Sequence, residues 1–159
     1  MGLYLLEPEV AGEFGEKTII SNFEAVREKG QRPIVVHLHY LLTGWLGDEL
    51  LECTPCFIVT KELATDIEKS DLNGYTFENV DVSTSDEFNE MYPDRSIPQF
   101  VRLIPKGTVE VVDDDNYKNW SGNDICLTRK SYLVVSEAMF IILKRHHIDN
   151  CDVTFLKEV

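Results

Sequence analysis

The chain has no surplus of positive charge: 15 lysines and arginines stand against 28 aspartates and glutamates, a net charge of −13 over 159 residues. Such a surface repels nucleic-acid phosphates and anionic lipid, and it attracts basic partners. Nowhere do 18 uninterrupted apolar residues occur, so the sequence predicts no membrane-spanning helix. The start, Gly2-Leu3-Tyr4-Leu5-Leu6-Glu7-Pro8, has neither the basic flank nor the long apolar stretch of a signal peptide, and a cytoplasmic location is expected. Low-complexity segments are also missing. With 43% apolar and 10% aromatic residues, one globular domain over residues 1–159 is expected.

Catalytic signatures are equally scarce. The Gly-x-Ser-x-Gly, His-Glu-x-x-His and Gly-x-x-x-x-Gly-Lys-Ser/Thr patterns do not occur, so the reading is of a protein that is not an enzyme and holds no cofactor or metal. Of the four cysteines, only Cys53-Thr54-Pro55-Cys56 has a short spacing. In a thioredoxin-type site such a pair opens a helix, whose N-terminus lowers the thiol pKa. Here the pair precedes the strand-like Phe57–Val59, and zinc would need two further ligands, which the singly placed Cys126 and Cys151 do not supply. Structural thiols in a reducing compartment are the expectation. His37 and His39 alternate on a strand-like run and would share a face. They and the Cys53/Cys56 pair form the alternative reading, a small-molecule or zinc-dependent enzyme.

What the chain does contain is a repeat. Cys56-Phe57-Ile58-Val59-Thr60 and Tyr132-Leu133-Val134-Val135-Ser136 each end an apolar run in a small hydroxyl residue. A helix-length stretch follows each, then Leu72-Asn73-Gly74 or Ile148-Asp149-Asn150, then Tyr75–Phe77 or Cys151–Val153. Residues 56–78 and 132–154 align without a gap, each reading as strand, cap, helix, turn and strand. Thr60 and Ser136 are suited to cap a first helical turn, and Gly74 and Asn150 to take the left-handed conformation beyond a helix. The fold class expected is α+β: a single domain with two related strand-helix-strand units and an N-terminal strand/helix layer.

Outside the repeat, Ser21-Asn22-Phe23-Glu24 predicts a capping box and Gly30 a helix stop. Ile34–Tyr40 predicts one strand, with Ile34, Val36, Leu38 and Tyr40 on one face. Gln99–Ile104 and Thr108–Val112 predict a hairpin turning at Lys106-Gly107. Ala138–Leu143 is apolar without a break, which predicts a helix buried on most sides, and Lys144-Arg145-His146-His147 suits the negative end of its dipole.

Acidic residues cluster twice. Six fall between Glu78 and Asp94 with no base among them, and Asp113-Asp114-Asp115 are consecutive. Asp86, Glu87, Glu90, Asp113, Asp114 and Asp115 are the candidate partner-binding residues, because like charges at this density repel one another until a cationic surface relieves them.

Trp45-Leu46-Gly47-Asp48 followed by Phe57-Ile58-Val59-Thr60 resembles a bacterial group classed among the immunity proteins of polymorphic toxin systems. Gly122-Asn123-Asp124-Ile125 ahead of Leu133-Val134-Val135-Ser136, and the closing Asn150-Cys151-Asp152-Val153, extend the resemblance over about residues 45–156. Thr60 and Lys61 depart from the group's Ser-Glu, which Ser136 and Glu137 keep. The resemblance implies a cytosolic, non-catalytic protein that binds and neutralises a cognate toxin domain, and it offers no catalytic residues. A toxin domain that attacks nucleic acid is basic, which agrees with the sign of this chain's charge.

Overall fold

The computed structural model describes residues 2–159 and shows a mixed α+β fold. The N-terminal part comprises β1 (Leu3–Glu7), β2 (Gly12–Phe14), β3 (Ile19–Ile20), α1 (Phe23–Lys29), β4 (Val35–His37) and β5 (His39–Leu42). The first repeat unit is β6 (Leu50–Cys53), β7 (Cys56–Thr60), α2 (Lys61–Lys69) and β8 (Tyr75–Glu78). Between the units run β9 (Asp81–Thr84), α3 (Asp86–Met91), β10 (Phe100–Pro105), β11 (Gly107–Thr108), β12 (Glu110–Asp113) and β13 (Asn116–Lys118). The second unit is β14 (Ile125–Leu127), β15 (Leu133–Ser136), α4 (Glu137–Leu143) and β16 (Asp152–Glu158).

The expected repeat is there, and larger than the sequence suggested. The first unit's sheet has the order β6-β7-β10-β8, and the second unit lies in a seven-stranded sheet as β14-β15-β1-β16. β10 runs antiparallel to both β7 and β8, and β1 runs antiparallel to both β15 and β16. Each unit is thus a hairpin, a helix and a return strand, with a borrowed strand at its centre. The borrowing is crossed: β1 precedes the first unit yet sits in the second, while β10 precedes the second and sits in the first. Beyond each borrowed strand the chain reaches the other sheet, as Glu9 bridges Leu51 of β6 and β11 pairs with β14, both in parallel. β1 is therefore a core strand and not part of an N-terminal layer.

One face of each sheet and both helices build a common core, including Leu6, Phe57, Val59, Leu63, Ile67, Leu103, Leu133, Val135, Met139 and Leu143. The other face of the first sheet is covered by β2, β4, β5 and α3, around Tyr40, Ile58, Phe88 and Phe100. The other face of the second sheet is covered in part by Val109, Tyr117 and Trp120.

Several local expectations need correction. Ile34–Tyr40 is not one strand: β4 and β5 belong to different sheets and the chain breaks at Leu38, so Ile34 and Val36 are exposed while Leu38 and Tyr40 are buried. Asn22 makes no side-chain cap; its amide instead bonds Arg32 O and Ile34 N, although Gly30 does end α1 in the left-handed conformation. Thr108–Val112 does not pair with β10, because β12 pairs with β13. The acidic stretch from Glu78 to Asp94 holds the strand β9 and the helix α3, the latter capped by Ser85. α4 buries only Met139, Ile142 and Leu143, leaving Ile141 exposed, so a run of apolar residues covers one face and spills onto another.

Candidate functional site

The outer face of the second sheet is only half covered. Its bare half is a groove of about 630 Å³ floored by Leu5 and Glu7 of β1, Tyr132 and Thr154. Pleating explains the floor: Leu5 lies opposite Thr154, and Glu7 opposite Asp152, so all point to one side. One wall is β12 with Glu110, Val111 and Asp113, continued by the turn residue Asp114, and the other is the β14–β15 turn with Arg129 and Lys130. Four acids thus face two bases. The Asp113 carboxylate accepts from the Asp115 N–H at 2.9 Å, which shapes the turn, while Asp114 is exposed.

The structure does not gather the six predicted partner-binding acids. Asp113 and Asp114 line the groove and Asp115 lines a neighbouring hollow, whereas Asp86, Glu87 and Glu90 lie on α3, whose Phe88 belongs to the cluster covering the other sheet. Asp86 and Glu87 occupy the first turn of that helix, where negative charge is favoured by the dipole. Their presence has a local reason without a partner.

The residues of the enzymatic alternative form two pairs, each with contacts of its own. Cys53 and Cys56 face each other across the two-residue turn Thr54-Pro55, with a cis peptide before Pro55, and both are buried. Burial pushes the Cys53 thiol up to about 12 and raises Cys56 also, although Arg102 opposes it there. Neither is a ready thiolate. His37 meets Asp81 at 2.7 Å and His39 meets Ser83 at 2.7 Å, both partners on β9. The Lys17 N–H donates to His39 Nδ1, so the ring carries its hydrogen on Nε2 and donates to the Ser83 hydroxyl. A histidine so arranged does not take the serine proton. Among the described residues no three His, Cys, Asp or Glu side chains are grouped to hold a metal ion.

Sequence reasoning missed the acid beneath each helix cap. The Thr60 hydroxyl donates to Glu49 Oε1 at 2.7 Å and accepts from Leu63 N, and the Ser136 hydroxyl donates to Asp124 Oδ1 at 2.7 Å and accepts from Met139 N. Each acid also receives the turn beyond the other unit's helix. Glu49 accepts from His146 Nδ1 and His147 N, and the adjacent Asp48 takes both the N–H and the side-chain amide of Asn150. Asp124 Oδ2 accepts from Asn73 N, while Asp124 N and Asn123 Nδ2 donate back to Asn73 Oδ1. Gly74 fits here at φ 94° with no room for a side chain: a Cβ would stand 2.7 Å from both Asn123 Cβ and Ile125 O. Asp48, Asp124, Ser136 and Asn150 thus lock the two units together. The signal was the hydroxyl at offset 76, but its acid partner lies 11 or 12 residues upstream across a hairpin of different length.

No helix among the described residues is long and apolar enough to cross a membrane. Compared with known proteins, the chain matches no family model, no curated protein and no solved structure.

Proposed function

We propose that this chain is a non-catalytic binding protein of the cytoplasm that captures a basic protein partner, and that a toxin domain to be neutralised is the partner. The groove on the second sheet carries the reading: a concave, half-apolar floor beside the consecutive acids Asp113, Asp114 and Asp115. A net charge of −13 draws a cationic partner from a distance, and acids at the rim then orient it. The toxin is the part of the proposal that rests on the sequence resemblance. Four free cysteines suit a reducing compartment.

The test spares Asp113, whose carboxylate holds the turn. With the chain as bait, a basic partner is captured and its association rate measured against the Asp114→Lys/Asp115→Lys variant. The expected result is a drop of roughly tenfold in association rate at low salt, shrinking as salt screens the charges, with an unchanged melting temperature. An unaltered rate and affinity would remove the groove's acids from the interface. Growth rescue of cells expressing the captured protein checks neutralisation, and a captured partner that is harmless alone would dismiss the toxin.

A further inference from the structure

The geometry points to the free edge of β16 as a strand-docking site that takes an extended partner segment alternating apolar and basic residues. This rests on the binding reading above and deepens it by naming how the partner's backbone is held.

β16 is paired with β1 over Asp152–Leu156 on one side, but on the other side β13 reaches only Lys157 and Glu158. Lys157 N donates to Asp115 O and Val159 N to Tyr117 O, so odd-numbered residues point their amides away from β1. Val153 and Phe155 share that direction, and no described strand pairs with them there. Their backbone donors and acceptors form an open ladder rung by rung in line with β13. An open rung beside exposed apolar side chains is the arrangement that natural sheets usually cover, twist or charge to prevent pairing. Here the middle of the edge carries no charge: Val153 is 42% and Phe155 45% exposed, with Thr154 between them.

A hollow of about 660 Å³ runs along this edge, lined by Asp115, Asn116, Thr154 and Lys157 besides the two apolar residues. Thr154 is shared with the groove on the outer face, so the two depressions meet. Side chains of an added strand would alternate in the same way as those of β16. Those beside Val153 and Phe155 would meet the apolar side, where Phe155 already packs on Tyr4 with ring centroids 5.3 Å apart. Those beside Asp152 and Thr154 would face the side bearing Asp113 and Asp114, and so would be basic. Charge complementarity therefore selects a basic protein segment over a second copy of this acidic chain.

The probe is a fluorescein-labelled seven-residue peptide alternating lysine and valine, titrated into the full chain by anisotropy. Two further versions carry N-methyl groups on one or the other alternate set of amides. The expected result is binding that falls about tenfold or more when one set is methylated and is unchanged when the other is, because only one set faces β16. Phe155→Lys in the protein should weaken the unmodified peptide comparably while the melting temperature holds. Equal binding by all three peptides would overturn the edge while leaving an acidic binding surface intact, which separates this failure from that of the binding reading. Binding of a glutamate–valine peptide as tight as the lysine one would overturn the charge assignment. A dimer in sedimentation that Phe155→Lys dissolves would give the edge to a second copy and overturn the proposal.

Discussion

His146 occupies a position that no helix-end role explains. Its side chain is 6% exposed and lies between Glu49, at 3.0 Å from Nδ1, and Asp66 of α2, at 2.7 Å from Nε2. Burial works to lower its pKa, but hydrogen bonds and charge from Glu49 and Asp66 prevail and raise it above the ordinary histidine value. Burial likewise works to raise the Glu49 pKa, but the His147 N–H, the Thr60 hydroxyl and His146 prevail and lower it. The signs give opposite edges to one window. A raised histidine stabilises fully below its unfolded value, about 6.5, and loses that contribution as pH climbs through the raised one. A lowered glutamate stabilises above its unfolded value, about 4.3, and loses that contribution as pH falls through the lowered one. The stability lost in His146→Gln, followed by urea unfolding, should be largest between those two values and shrink above neutrality. A difference that is flat from pH 5 to 9 would contradict the ion-pair account.

The caps Thr60 and Ser136 were legible because hydroxyls before a helical stretch have one common use. Their acids were not, since nothing local ties Glu49 or Asp124 to a residue across a hairpin. Removing a cap hydroxyl typically costs about 1 kcal/mol. Thr60→Ala also strips one donor from Glu49, so its cost and that of Glu49→Gln should fall short of additive in a double-mutant cycle. Full additivity in chemical denaturation would mean that cap and acid act separately.

At the level of elements, amphipathic spacing was readable and uniform hydrophobicity was not. Leu63, Ala64 and Ile67 form the stripe of α2, and all three are buried as their spacing predicts. In α4 the unbroken run from Ala138 to Leu143 holds no polar residue to mark the wet side, and Ile141 is 49% exposed. Leu63→Ala should cost about 3 kcal/mol, in the range of buried leucine truncations, whereas Ile141→Ala should stay within about 0.5 kcal/mol. Comparable losses in urea titrations would show α4 buried all round. Short strands such as β9 and β13 were illegible for another reason: they are three or four residues long and largely polar, and tertiary pairing, not propensity, makes them strands.

For the whole molecule the decisive fact is the crossed exchange of β1 and β10. The repeat at offset 76 revealed two units, yet nothing in it revealed that each is completed by a strand lying outside it. β1 reads as a short apolar start, and its partners β15 and β16 are more than 125 residues away in sequence. In the fold it buries Leu6 in the common core and Leu3 and Leu5 in the cluster on the opposite face of the sheet. Three buried leucines contribute roughly 5–8 kcal/mol, comparable to the net stability of an ordinary domain. Deleting residues 2–8 should therefore not trim a surface layer but unfold the second unit, while the first keeps its own central strand. Near-UV ellipticity and amide protection should fall for β14, β15 and β16 and hold better for β6, β7 and β10. A synthetic peptide of residues 1–9 added to the truncated chain should restore both signals, because the vacated slot between β15 and β16 offers a ladder on each side. A truncated chain that unfolds as cooperatively as the intact one, at nearly the same denaturant midpoint, would show that β1 is dispensable and that the exchange does not hold the two halves together.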